Sequence, residues 1–132
     1  YRYAPGEGIR MRKLNLLLII LASVFGLNAS YAYANKETEI QHLLNYVETS
    51  QCLFIRNGSS HNGPDAKAHI VKKYNYFKSR IDSAEEFIEY SATKSTMSGK
   101  KYKVKCDGKE YLTAQWLNDE LKNFRNKTST SN

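Results

Sequence analysis

The chain has 132 residues, room for one domain, and its 20 basic and 13 acidic side chains give a formal charge of +7. Setting aside residues 1–34, which hold four of the basic side chains and one of the acids, leaves 16 and 12, a charge of +4. That bias permits weak attraction to anionic polymers or lipid head groups but is too mild to single out a partner.

Residues 1–10, "YRYAPGEGIR", precede the first methionine and fit no targeting pattern, so they read as an upstream or cloning-derived extension. Met11 to Ala34 has a basic start (Arg12, Lys13), an apolar run and the small-residue ending Ala32-Tyr33-Ala34. This is the pattern of a secretory signal cleaved after Ala34. The apolar run is shorter than the ~20 residues a bilayer span needs. No cysteine follows it, which argues against a lipoprotein anchor. The expectation is export to the periplasm, without a transmembrane anchor after cleavage.

In "NKETEIQHLLNYVETS" the residues Ile40, Leu43, Leu44 and Val47 recur at helical spacing, with acids early. "CLFIRNGSSHN" follows, and Asn57-Gly58 is the dipeptide of a two-residue hairpin turn that sets Ile55 opposite Ser60 and Phe54 opposite His61. "GPDAKAHIVKKYNYFKSRI" opens with Pro64, suited to a first helical turn. It keeps Ala66, Ile70, Tyr74, Phe77 and Ile81 in helical register. Ser83-Ala-Glu-Glu86 is a capping box for a further helix that buries Phe87, Ile88 and Ala92. After the loop "TMSGK", "KYKVKCDGKEYLTA" alternates strictly, with Tyr102, Val104 and Cys106 on one face and Lys101, Lys103 and Lys105 on the other. Asp107-Gly108 supplies its turn. "AQWLNDELKNFRNK" forms the last helix through Leu117, Leu121 and Phe124. The mature domain is thus placed at residues 35–127, with 128–132 as a frayed tail.

Cys52 and Cys106 both lie in the mature part, and an exported chain meets an oxidising compartment. A bridge is the expected pairing, worth about 4 kcal/mol in the loop-entropy picture. Metal ligation and a thiol nucleophile are the alternatives, and the lack of CxxC spacing argues against zinc. The bridge would tie the first strand of one hairpin to the first strand of the other. The fold expected is α+β: two β-hairpins forming one small antiparallel sheet, packed on one face against about four helices and held by one disulfide.

The stretches "LLNYVETSQCLFIRNGSSH", "AKAHIVKKYNY", "SAEEFIEYSATKSTMSGKKYKVKC" and "QWLNDEL" together resemble a family of small exported bacterial proteins known as domain of unknown function 5329. The resemblance covers nearly the whole mature chain, and Cys-x-Phe-x-Arg-Asn-Gly followed by Ala-x-x-His-x-x-x-Lys-Tyr is its most specific part. The family pattern falls on Cys52, Phe54, Arg56, Asn57, Gly58, Ala66, His69, Lys73, Tyr74, Ser98, Gly99, Tyr102, Cys106, Trp116 and Leu117. It implies a single domain in a Gram-negative periplasm and implies no activity.

Which side chains could carry a function? At 100° per residue from Ala66, the apolar set of the second helix spans about 0–80°, while His69, Lys73, Tyr76 and Arg80 fall at about 280–340°. This polar stripe, with Arg56 on the preceding hairpin, is the candidate binding site for a phosphate, carboxylate or glycan. The plainer reading is that these side chains cover the core with their stems and keep their heads in water. Catalysis would need a histidine oriented by a partner. Asp65, at i−4 from His69, is the acid the sequence offers. Lys100, Lys101, Lys103 and Lys105, with Lys94 and Lys109 near, form a basic patch. It reads either as edge-strand protection or as a polyanion-binding surface. Tyr102 and Tyr111 fall on the other face, so a nucleic-acid platform is not expected.

Ser91-Ala-Thr-Lys94 lacks the companion motifs of penicillin-recognising enzymes, and Ser98-Gly99-Lys100 lacks the rest of a P-loop. No metal or cofactor motif is present. The reading is a periplasmic, non-enzymatic binding or interaction module with a mildly basic face. Its expected partner is an anionic envelope component or another periplasmic protein. The alternative is a small periplasmic hydrolase using His69.

Overall fold

The computed structural model describes residues 35–131. Residues 11–34, read above as a secretory signal, and residues 1–10 lie outside the described residues. Helix α1 covers residues 35–49, then strands β1 (Leu53–Arg56) and β2 (Ser59–His61) and helix α2 (Gly63–Phe77) follow. Helix α3 (Ala84–Ala92), strands β3 (Lys103–Cys106) and β4 (Lys109–Leu112), and helix α4 (Thr113–Thr130) complete the domain.

Both hairpins form for local reasons. Asn57 and Gly58 have φ of 49° and 79°, and Asp107 and Gly108 have 50° and 78°. These are the paired positive values of a two-residue turn matched to strand twist. The first turn puts Phe54 opposite His61 and Ile55 opposite Ser60 as expected, and the second puts Cys106 opposite Lys109. The sheet order is β2-β1-β3-β4, with every neighbouring pair antiparallel. Cys52 and Cys106 are disulfide-bonded with Cα atoms 4.7 Å apart, which joins the two middle strands.

One sheet face carries Phe54 and Val104, both buried, and Phe54 and Trp116 of α4 meet in a T-shaped contact. Against that face the helices bring Ile40, Leu43 and Val47 from α1, Ile70 and Tyr74 from α2, Phe87 and Ile88 from α3, and Leu117 and Leu121 from α4. The other face, with Leu53, Lys103 and Lys105, is exposed. The architecture is α+β, four helices and one four-stranded antiparallel sheet.

Caps set the helix starts. The Asn62 side chain accepts the N–H of Asp65 at 3.0 Å, and Ser83 Oγ accepts the N–H of Glu86 at 3.1 Å. Gly63 presses on the end of α1: a Cβ there would lie 2.5 Å from the carbonyl oxygen of Val47 and 2.6 Å from that of Glu48.

Three expectations need correction. The second helix stops at Phe77 and passes into a 3₁₀ turn at Lys78–Arg80, although Ile81 is still buried. The last helix runs past Lys127 to Thr130, where the hydroxyls of Thr128, Ser129 and Thr130 bond back to carbonyls one turn earlier. Strand β3 lies inside the sheet, paired on both sides, so its lysines do not guard an edge.

Candidate functional site

Arg56 is the last residue of β1 and shares the inner sheet face with Phe54, at the end beyond the packed core. Helix α2 passes this end, and the loop from Ser95 to Met97 closes the other side. Together they frame an open cleft of about 620 Å³. Arg56, Asn57, His69, Lys72, Lys73, Tyr76, Ser95, Met97 and Tyr102 are among its lining residues.

Tyr102 is the hub of the floor, 7% exposed, with its hydroxyl between two helix residues. Nζ of Lys73 donates to that hydroxyl at 3.3 Å and to the carbonyl oxygen of Lys94 at 2.6 Å, and sits 4.9 Å from the centre of the Tyr102 ring. Nε2 of His69 lies 3.2 Å from the same hydroxyl. Burial, reinforced by Arg56 and Lys73, lowers the His69 pKa from 6.5 to about 4. The neutral imidazole can therefore accept a hydrogen bond at Nε2 from the tyrosyl O–H, while the tyrosyl oxygen accepts from Lys73. Burial and then Arg56 lower the Lys73 pKa, and burial raises that of Tyr102.

No lining residue of the cleft is an acid. The Arg56 side chain has no hydrogen bond or ion pair among the described residues. Cations packed without carboxylates repel one another, and an anion entering between them relieves that repulsion. The rim is less polar: Tyr76 is 80% exposed and Met97 99%.

Of the residues named from sequence, Arg56, His69, Lys73 and Tyr76 converge here. Arg80 does not, because the 3₁₀ turn breaks the 100° step that would have carried it round, and it is exposed. Lys100, Lys101 and Lys103 line a separate groove on the outer side of the sheet, and Lys105 is exposed on that outer face. Sequence reasoning left out Lys72, Asn57, Ser95, Met97 and Tyr102 as site residues. For Tyr102 a signal existed, since its alternation with Lys101 and Lys103 already turned it inward.

Asp65 is not hydrogen-bonded to His69. The histidine with a carboxylate partner is His42, whose Nε2 lies 3.3 Å from Glu120 while its ring stacks on Phe124 at 4.1 Å. Among the described residues no cluster of His, Cys, Asp and Glu is arranged to hold a metal ion. None of the described helices is long and apolar enough to cross a membrane.

Comparison with known proteins adds no chemistry. The uncharacterized protein YfeK of Salmonella typhimurium is 40% identical over 70 residues, which span 52% of this chain and 58% of the relative. No solved structure matches. A family described as "Family of unknown function (DUF5329)" matches residues 34–125, more than half of the chain. The chain belongs to that family.

Proposed function

We propose that this is an exported, periplasmic binding module that captures an anionic group in the cleft between α2, the end of β1 and the Ser95–Met97 loop. The observation that carries the reading is Arg56, Lys72 and Lys73 gathered around one recess whose lining contains no acid. Arg56 supplies a planar fork of donors, suited to a carboxylate, sulfate or phosphate. Lys73, already fixed by Tyr102 and Lys94, adds a positioned point charge. His69 serves binding rather than proton transfer in this reading, because its ring partner is a tyrosine and no carboxylate orients it.

Titration with inorganic sulfate or phosphate, followed through the His69 ring resonances, tests the site. Saturable shifts that vanish in Arg56→Ala are expected. Resonances unmoved at millimolar anion would refute the reading. Export is supported by the disulfide, a bond that persists in oxidising compartments. Cell fractionation checks it: the periplasmic protein should begin at Asn35, and recovery of the intact chain in the cytoplasm would refute it.

A further inference from the structure

Two cation-lined recesses meet at one residue. The cleft holds Arg56, Lys72 and Lys73, and the outer groove, about 380 Å³, holds Lys100, Lys101 and Lys103. Asn57 lines both. Its position is fixed from two sides: Nδ2 donates to Ser95 Oγ at 3.4 Å, and Oδ1 accepts from Ser98 Oγ at 2.6 Å. Hairpin tip and loop thus form one hydrogen-bonded ridge, with the same sign of charge on either slope. The acid of the outer groove, Glu110, lies 3.9 Å from Lys103. Lys100 and Lys101 have no ion-pair partner among the described residues.

A small anion can occupy one recess at a time. A chain bearing anionic groups at intervals can occupy both, and its second contact is then intramolecular and correspondingly favourable. The exposed ring of Tyr76 beside the cleft offers an apolar face of the size of a sugar ring. A single-stranded nucleic acid would call for successive rings on which to stack its bases, and the outer groove has none.

We infer that the protein binds an acidic polysaccharide laid over the Asn57 ridge, with one anionic group in the cleft and the next in the outer groove. The inference rests on the cleft reading above and names its ligand class. Asn57 is then the saddle of the path, and its double anchoring keeps the two slopes at a fixed separation.

Heparin fragments serve as probes, a disaccharide for the cleft alone and a decasaccharide for the whole path. The mature protein should bind the decasaccharide at least about tenfold more tightly than the disaccharide. Lys101→Ala/Lys103→Ala, two changes at exposed positions, should erase that advantage and leave disaccharide binding unchanged. Arg56→Ala/Lys73→Ala should weaken both probes. Full decasaccharide affinity in the Lys101/Lys103 variant would overturn the path across the ridge while leaving the cleft reading intact. Unchanged binding of both probes in the Arg56/Lys73 variant would overturn both. Equally tight binding of oligothymidylate would overturn the assignment to a polysaccharide.

Discussion

Nε2 of His69 and the hydroxyl of Tyr102 lie 3.2 Å apart, although 33 residues separate them in the chain. Burial, reinforced by the charges of Arg56 and Lys73, holds the imidazole neutral on the floor of this cationic recess, and a pH dependence follows. The folded-state pKa, about 4, is below the ordinary 6.5. As pH falls through that window the unfolded chain takes up a proton that the folded protein refuses. His69 should therefore subtract stability between about pH 6.5 and 4, and His69→Gln should flatten that part of the denaturation profile. A bound anion favours the imidazolium, so sulfate affinity should rise from pH 7 to pH 5. Calorimetric titration at the two pH values measures it, and equal affinities would contradict the linkage.

Gly58 and Gly63 should fail for different reasons when given side chains. At Gly58 there is open space but φ is +79°, so Gly58→Val should cost more than about 1 kcal/mol through backbone strain alone. At Gly63 the new Cβ would strike the carbonyl oxygens of Val47 and Glu48. Gly63→Ala should therefore destabilise by at least about 2 kcal/mol although alanine is the better helix former. Denaturant midpoints of the two variants test the distinction.

Arg125 of α4 grips Glu39 of α1 with two donors, at 2.6 and 3.1 Å, and also reaches Glu85 of α3. Glu39 is only 4% exposed. Arg125→Ala would leave that carboxylate buried without its counter-charge. The expected loss is about 2 kcal/mol, less than for a fully buried pair because the arginine is itself half exposed. The arginine lowers the Glu85 pKa by hydrogen bonding, so part of the loss should fade as acid protonates Glu85. Thermal unfolding of the variant at neutral and acid pH separates the two contributions.

Opening the Cys52–Cys106 bond should lower stability by up to about 4 kcal/mol with little change in the folded core. Non-reducing peptide mapping should recover the linked pair, and unfolding with and without reductant should show the difference. Equal midpoints would mean that the two hairpins stay together in the unfolded chain.

The parts legible in the sequence are those decided by neighbours in the chain. Asn57-Gly58 and Asp107-Gly108 require positive φ, that fixes the turns, and the turns fix the register of each hairpin. Helical spacing identified Ile40, Leu43, Leu44 and Val47 as a buried stripe. Long-range meetings left no such mark: nothing periodic connects Arg125 with Glu39, or Ser98 with Asn57. Arg80 was misplaced because a helical angle was carried beyond the helix. The place of the β3 lysines follows from the disulfide. A bond between the first strands of the two hairpins makes those strands neighbours, which already puts β3 inside the sheet.

The bridge between the two middle strands also records which molecule supplied each half. Each half is a hairpin followed by a helix, and such units can be exchanged between two identical chains during folding. In an exchanged pair the β1–β3 seam would lie between chains, and oxidation there would weld a covalent dimer. Within one chain, the same oxidation seals the seam and shuts off later exchange. For as long as it stays oxidised, the cross-link would hold the chain to the partner, itself or a second copy, with which the thiols first paired.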